Sequence, residues 1–188
     1  RMHSADLAVV NLETTLTRSK RYTGYPLFRS PVALADALRD AGVDVAVLAN
    51  NHCCDGGAEG IRTSIEELDR CGIRHTGVFA DSADYRRNHP LLLTRNGVRL
   101  ALLNYTYGTN GMPVPQGMIV NRIDTARMAA DAAAARTAGA DFIVACLHWG
   151  NEYERRANAA PRRLAVFLRR HGVEVVVGCH PPGVPPWV

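Results

Sequence analysis

Side chains that can bind a metal ion follow four separate apolar runs of the sequence. They are Glu13, the pair Asn51 and His52, His148 and His180, and each comes within a few residues of the end of its run. Short apolar runs are typical of buried strands, and the carboxyl ends of parallel strands share one edge of a sheet, where ligands bind. Imidazole nitrogen and carboxylate oxygen suit a borderline divalent ion, and amide oxygen is a weaker ligand. The pattern therefore predicts one divalent-metal site at that edge.

Each of these residues, taken alone, also fits a structural role. Asn50-Asn51 is a natural turn pair, Asp55-Gly56-Gly57 indicates a turn, and Glu13 can cap a loop. A histidine after a strand is often a hydrogen-bonded residue at the sheet edge. Only the coincidence of four strand ends favours a site. The remaining histidines have no such setting and are predicted to be structural or exposed: His3, His75, His89 and His171.

Further polar and aromatic residues are predicted to reach the same edge. Tyr107 and Asn110 follow another strand, and Trp149 and Glu152 come just after His148. We assign them to substrate binding, although Trp149 also fits simple packing and Glu152 can instead accept the free N–H of a ligand histidine. Arg29 precedes a predicted helix and is assigned to an anionic group of the substrate.

The order of the elements predicts an α/β fold with a mixed, mostly parallel sheet flanked by helices. Short apolar runs alternate with longer segments of helical period, as in βα units. Asn96-Gly97 is the signal of a type I′ turn, so the two runs that it joins are predicted to be antiparallel. The predicted strands are 6–11, 43–48, 91–94, 98–104, 141–147 and 173–178.

Four helices are predicted, at 31–41, 58–71, 125–138 and 161–171. Ser30 is expected to cap the first, with Pro31 at its first helical position. A glycine follows each helix and can end it: Gly42, Gly72, Gly139 and Gly172. No repeat or change of composition divides the chain, so residues 1–188 are predicted to form one domain.

Composition argues against two classes of partner. The net charge is +4, but Lys20 is the only lysine, and no basic and aromatic residues interleave as a nucleic-acid groove requires. No apolar run reaches the roughly 18 residues of a membrane span, and residues 1–6 lack the apolar stretch of a signal peptide. The five cysteines form no CxxC pair, so a disulfide scaffold is not expected.

Five blocks of the sequence, in order, resemble those of the bacterial CapA family of capsule synthesis proteins. They are Asp6-Leu-Ala-Val-Val-Asn-Leu-Glu13, Leu48-Ala-Asn-Asn-His52 with Asp55 and Gly57, Tyr105-Thr-Tyr-Gly-Thr-Asn-Gly111, Leu147-His-Trp-Gly-Asn-Glu-Tyr153 and Gly178-Cys-His-Pro181. The resemblance covers nearly the whole chain. It implies a sandwich like that of the calcineurin-like metallophosphatases and a role in poly-γ-glutamate synthesis or export.

The resemblance also implies a role for each site residue. Glu13 matches the bridging carboxylate, and Asn51, His148 and His180 match the other ligands of one divalent ion, which would be Mn, Zn, Fe or Mg. His52 matches a general acid near the leaving group and is oriented by Asp55. The implied chemistry is metal-assisted hydrolysis of a phosphoester or a γ-glutamyl bond.

Two departures from the family pattern favour a weak or inactive enzyme. The family opens with a Gly-Asp strand upstream of the first block found here, and its last block reads Gly-x-His-Pro-His, where this chain has Pro182. Both differences remove ligands from the second metal position, so the chain resembles a family member that is cut short at both ends. The alternative is a non-catalytic assembly factor that binds an anionic polymer for a capsule synthase complex. Family members are membrane-associated and act on the extracytoplasmic side.

Overall fold

The computed structural model describes residues 2–149 and 159–179. The helices there are α1 (Ala33–Asp40), α2 (Gly57–Arg70), α3 (Ser82–Asn88), α4 (Thr125–Thr137) and α5 (Ala159–Arg170). The strands are β1 (Val9–Asn11), β2 (Thr15–Thr17), β3 (Arg29–Pro31), β4 (Val45–Val47), β5 (Arg74–Thr76), β6 (Val78–Phe79), β7 (Leu91–Arg95), β8 (Val98–Thr106), β9 (Ile119–Val120), β10 (Phe142–His148) and β11 (Val175–Cys179).

The strands form two main sheets. The first has the order β1-β4-β5 and is parallel throughout. The second has the order β11-β10-β8-β7, in which β7 and β8 are antiparallel and the other pairs are parallel. Two small pairs, β2-β3 and β6-β9, complete the strand pairing. The predicted mixed α/β class is confirmed, but the predicted strands divide between two sheets, not one.

The two sheets pack face to face, with helices on their outer sides. Val45 of β4 packs against Leu91 and Leu102 of the second sheet. The neighbouring residue Ala46 faces the opposite way, into a core that includes residues of α1 and α2. Because side chains alternate between the two faces of a strand, each sheet has one face toward its partner and the other toward helices. The chain therefore forms the predicted sandwich.

The glycine and hairpin signals of the sequence are confirmed by the backbone conformations. Gly42, Gly72, Gly139 and Gly172 follow four of the helices with φ angles between 70° and 86°. Asn96 and Gly97 have φ angles of 50° and 80° at the turn between β7 and β8, as a type I′ turn requires.

The first helix begins at Ala33, and its N-cap position is Val32, with no side-chain hydrogen bond. Ser30 and Pro31 lie instead in β3, where the Ser30 hydroxyl is 3.0 Å from the hydroxyl of Thr14. The expected cap was wrong because the helix begins three residues after Ser30, whose hydroxyl contacts Thr14 in the loop between β1 and β2.

Candidate functional site

Polar side-chain atoms of three residues converge where strands of the two sheets end. His148 Nε2 lies 2.8 Å from Asn51 Oδ1 and 3.6 Å from Glu13 Oε1. His148 is the last residue of β10, while Asn51 follows β4 and Glu13 follows β1. His148 and Asn51 are each 1% exposed, and Glu13 is partly exposed. The predicted convergence of these three residues is thus present, with the carboxylate on the solvent side.

Asn51 is oriented by a residue that we assigned to substrate binding. Its Nδ2 donates to Asn110 Oδ1 at 3.3 Å, which turns its Oδ1 toward His148. Asn110 has a φ of 50°, a backbone conformation that asparagine tolerates better than most residues. Tyr107, which is 45% exposed, stacks its ring on His148 with 6.1 Å between ring centroids. Both residues therefore contact the site.

Two asparagines that we had not assigned to the site hold Glu13 and His52. Asn11 Nδ2 donates to Glu13 Oε2 at 2.9 Å, and Asn11 Oδ1 accepts from Asn50 Nδ2 at 3.2 Å. Asn50 also accepts, at 3.1 Å, from the backbone N–H of His52. Both asparagines lie inside the blocks that carry the resemblance, which is the only sequence signal for their role. They connect the loops that carry the carboxylate and the histidine.

His52 and Asp55 form a second buried pair in the turn before α2. Asp55 Oδ2 accepts from His52 Nδ1 at 2.8 Å and from the backbone N–H of Phe28 at 2.7 Å. The pair fixes the tautomer in which Nδ1 carries the proton, so the Nε2 of His52 faces away from the carboxylate. Arg29 donates to the backbone carbonyl of Asp55 at 3.2 Å, and the ring of Phe28 packs edge-on against His52 at 4.4 Å.

Packed surroundings hold Trp149, His75 and His89. Trp149 packs against β11, where its Nε1 would be only 2.6 Å from a Cβ placed on Gly178. Glu152 and His180, together with Pro182, lie outside the described residues. His75 and His89 are buried and lie beside the carboxylates of Asp69 and Asp131, at 3.4 and 2.9 Å.

The end of β11 lies close to Glu13. Cys179 is paired in register with His148 of β10. Burial raises the pKa of the Cys179 thiol, and the negative charge of Glu13 raises it further. That charge effect indicates that the residue before His180 in the sequence is near the carboxylate of the site.

The donor set fits a divalent ion without forming a complete site. Within residues 2–149 and 159–179, no group of three or more His, Cys, Asp and Glu side chains gathers closely enough to hold a metal. Glu13, Asn51 and His148 supply one carboxylate, one amide oxygen and one imidazole, which is the mixture that a borderline or hard divalent ion accepts. The described residues therefore supply part of a ligand set.

Comparison with known sequences identifies the family. Residues 1–187 match the family described as "Bacterial capsule synthesis protein PGA_cap". The chain belongs to this family. Similar family relatives include the capsule biosynthesis protein CapA of Bacillus anthracis, 27% identical over 150 residues, which cover 77% of this chain and 36% of that protein.

Two further relatives carry related names. The PGA biosynthesis protein CapA of Bacillus subtilis is 24% identical over 192 residues, covering 95% of this chain and 48% of that protein. A probable polyglutamine synthesis accessory protein of Mycobacterium tuberculosis is 26% identical over 191 residues, covering 93% and 49%. The chain thus spans half or less of the length of these relatives.

A solved structure supports the metallophosphatase-like fold. The NAD nucleotidase of Haemophilus influenzae superposes with a TM-score of 0.55 at 19% identity, covering 79% of this chain and 28% of that protein. At this identity the likeness concerns the fold alone.

In the part of the chain that the structure describes, no helix is both long and apolar enough to cross a membrane.

Proposed function

We propose that this capsule synthesis family chain binds one divalent ion through Glu13, Asn51, His148 and His180 and uses it in a hydrolytic step on an anionic polymer. The observation that carries the proposal is the approach of Asn51 Oδ1 and Glu13 Oε1 to the same atom, His148 Nε2, at 2.8 and 3.6 Å. These three side chains come from distant parts of the sequence, and their polar atoms meet where strands of the two sheets end.

The contact between His148 and Asn51 constrains the proton on the imidazole. Asn51 Oδ1 can only accept, so His148 Nε2 must donate its N–H to it at 2.8 Å. An ion can bind Nε2 only in the tautomer that carries the ring proton on Nδ1, and protonation of both ring nitrogens would prevent binding, so metal binding weakens when the pH is low enough to form the imidazolium.

His180 is the fourth proposed ligand. It directly follows Cys179, which is paired with His148 and lies near enough to Glu13 for the carboxylate to raise the pKa of the thiol beyond the effect of burial. This place in the sequence, directly after the end of β11, supports the proposal of His180 as a ligand.

His52 and Asp55 supply the proposed proton transfer. The carboxylate of Asp55 accepts the Nδ1 proton of His52, so Nε2 is the atom that can carry a proton to a leaving group. Two fixed hydrogen bonds hold Asp55 Oδ2, from Phe28 and from His52, and they keep the imidazole in one orientation. A bound divalent ion would polarise the scissile phosphoester or γ-glutamyl bond and activate the attacking water.

The polymer is proposed from the relatives. Proteins named for capsule biosynthesis and PGA biosynthesis match this chain over 77% and 95% of its length. Poly-γ-glutamate is the proposed polymer, and a capsule synthase complex is the proposed partner.

A two-step experiment tests this function. The chain, freed of metal with a chelator, is titrated with Mn²⁺ by calorimetry and then assayed on a chromogenic phosphomonoester and on γ-glutamyl peptides under single-turnover conditions. We expect one ion to bind and slow, Mn²⁺-dependent turnover that falls roughly 100-fold in His52→Gln, since a general acid contributes about 10² to 10⁴ in rate. Unchanged Mn²⁺ affinity in His52→Gln would separate this role from ligation.

The second candidate is a metal-binding assembly factor without turnover. It is favoured by Pro182, which stands where the family pattern has a histidine and cannot bind a metal. Tight binding of one Mn²⁺ with no cleavage of either substrate class would support the assembly factor. A chain that binds no divalent ion would contradict both candidates.

A further inference from the structure

One buried amide joins the two sheets directly behind the site. Asn104 lies in β8 and is 1% exposed. Its Oδ1 accepts from the backbone N–H of Ala49 at 2.6 Å, and its Nδ2 donates to the carbonyl of Cys146 at 3.0 Å and, more weakly, to that of Ala49 at 3.5 Å. Ala49 follows β4 of the first sheet, whereas Cys146 lies in β10 of the second.

The two backbones that the amide holds are those that carry Asn51 and His148. Ala49 comes two residues before Asn51, and Cys146 comes two residues before His148. These are the two side chains in direct contact at 2.8 Å. A shift of either backbone relative to the other would therefore change that distance, and Asn104 is bonded to both.

The surroundings of the amide have no room for a larger group. Gly77 has a φ of 98°, and a Cβ at this position would overlap Asn104 Oδ1 and come within 2.8 Å of the Cβ of Ala49. A glycine is therefore needed where β5 is followed by β6, both for its backbone conformation and for the space that the amide occupies.

The chemistry of the position favours asparagine over its near isosteres. A buried polar group is costly unless its hydrogen bonds are made, and this amide both donates and accepts. Leucine would leave the N–H of Ala49 without its acceptor. Aspartate would keep the acceptor but place a second oxygen against the carbonyl of Cys146.

We infer that Asn104 is a positioning residue, which sets the separation of Asn51 and His148 by tying the backbones that lead to them. This inference rests on the proposed metal site. Removal of an orienting partner near a metal ligand typically costs 10 to 100-fold in metal affinity, and we expect a loss of that size for Asn104→Asp and Asn104→Leu.

The matched control is Asn121→Leu. Asn121 is a 0% exposed asparagine whose side-chain amide contacts His89 Nδ1 at 3.2 Å and not the backbones of Ala49 and Cys146. Mn²⁺ affinity is measured by calorimetry at a temperature well below the unfolding midpoint of each variant. We expect all three variants to unfold at lower temperature but only the two Asn104 variants to lose affinity. Wild-type affinity in the Asn104 variants, or an equal loss in Asn121→Leu, would overturn the inference.

A second readout does not depend on metal binding. ¹⁵N-edited NMR of the imidazole detects the Nε2 proton that His148 donates to Asn51 Oδ1. We expect slow exchange of this proton with water in the wild type and in Asn121→Leu, and fast exchange in Asn104→Asp. If the proton stays protected in Asn104→Asp, Asn104 does not position the pair. If the wild type binds no Mn²⁺ but this proton exchanges rapidly with water in Asn104→Asp, the positioning role stands and the metal proposal fails.

Discussion

Replacement of His148 by alanine distinguishes a ligand histidine from a structural one. The variant removes Nε2, the atom that lies 2.8 Å from Asn51 Oδ1 and 3.6 Å from Glu13 Oε1. The matched control is His75→Ala. His75 is buried to the same extent, 1% exposed, but its neighbours are Asp69 at 3.4 Å and Asp84 at 4.0 Å. Both variants lose a buried imidazole, and only one of them loses a proposed ligand.

The expected magnitude follows from the number of ligands. Protein sites with four ligands bind a structural zinc ion with roughly 10 to 16 kcal/mol, or about 2.5 to 4 kcal/mol for each ligand. Loss of one ligand should therefore weaken binding by about 70 to 1,000-fold. Calorimetric titration with Zn²⁺ or Mn²⁺, on variants shown by circular dichroism to be folded, measures this directly. Equal affinities of His148→Ala and His75→Ala would refute the assignment of His148 as a ligand.

Three other predictions follow from particular contacts. Gly77→Ala should lower the free energy of unfolding, measured by denaturant titration, by about 2 to 5 kcal/mol. The added Cβ would overlap Asn104 Oδ1, and the φ of 98° disfavours any side chain. A loss below about 1 kcal/mol would contradict this packing. Burial by itself would raise the pKa of Asp131, but the hydrogen bond and charge of His89, the hydrogen bond from Tyr105 and the charge of Arg127 together outweigh it, so that the pKa lies below its ordinary value of 3.8. The ionised carboxylate therefore stabilises the fold above about pH 4, and this stabilisation is lost as the pH falls through the lowered pKa. The thermal unfolding midpoint of Asp131→Asn should depend less on pH in this acidic range than that of the wild type. Metal analysis of the purified chain should find at most one tightly bound divalent ion, since Pro182 cannot serve the second position; two tightly bound ions would show that other residues replace the lost ligands.

The local signals in the sequence predicted the elements that depend on near neighbours. The Asn96-Gly97 turn and the glycines after the helices were predicted from conformations that few other residues adopt. Strands of five to nine residues, such as β7 and β8, were also predicted, although the boundaries shifted by one or two residues. Several strands of two or three residues, such as β2 and β6, were missed because they are too short to show a period of two, whereas β1 and β4 were found as parts of longer apolar runs.

The candidate site was predicted in part, because some of its residues also have a local signal in the sequence. Glu13, Asn51 and His148 could be found because each follows an apolar run, and the pairing of His52 with Asp55 was implied by the family resemblance and is present at 2.8 Å. Trp149 was assigned to substrate binding with packing as the alternative; its indole lies against Gly178, and its role in binding stays a prediction. An aromatic residue at a sheet edge contacts either solvent or a neighbouring strand, and its own sequence context does not distinguish the two.

What the sequence alone determined, therefore, was the longer strands, four of the five described helices and the residue types that lie at the strand ends, whereas α3 (Ser82–Asn88) was not predicted. The division of those strands between two sheets was decided by tertiary structure, because it depends on packing such as that of Val45 on Leu91 and Leu102. Tertiary structure also decided the roles of Asn11, Asn50 and Asn104. A buried amide is stable only when its partners are present, and the partners of Asn104 lie 55 and 42 residues away in the chain. No local pattern in the sequence records such a pairing.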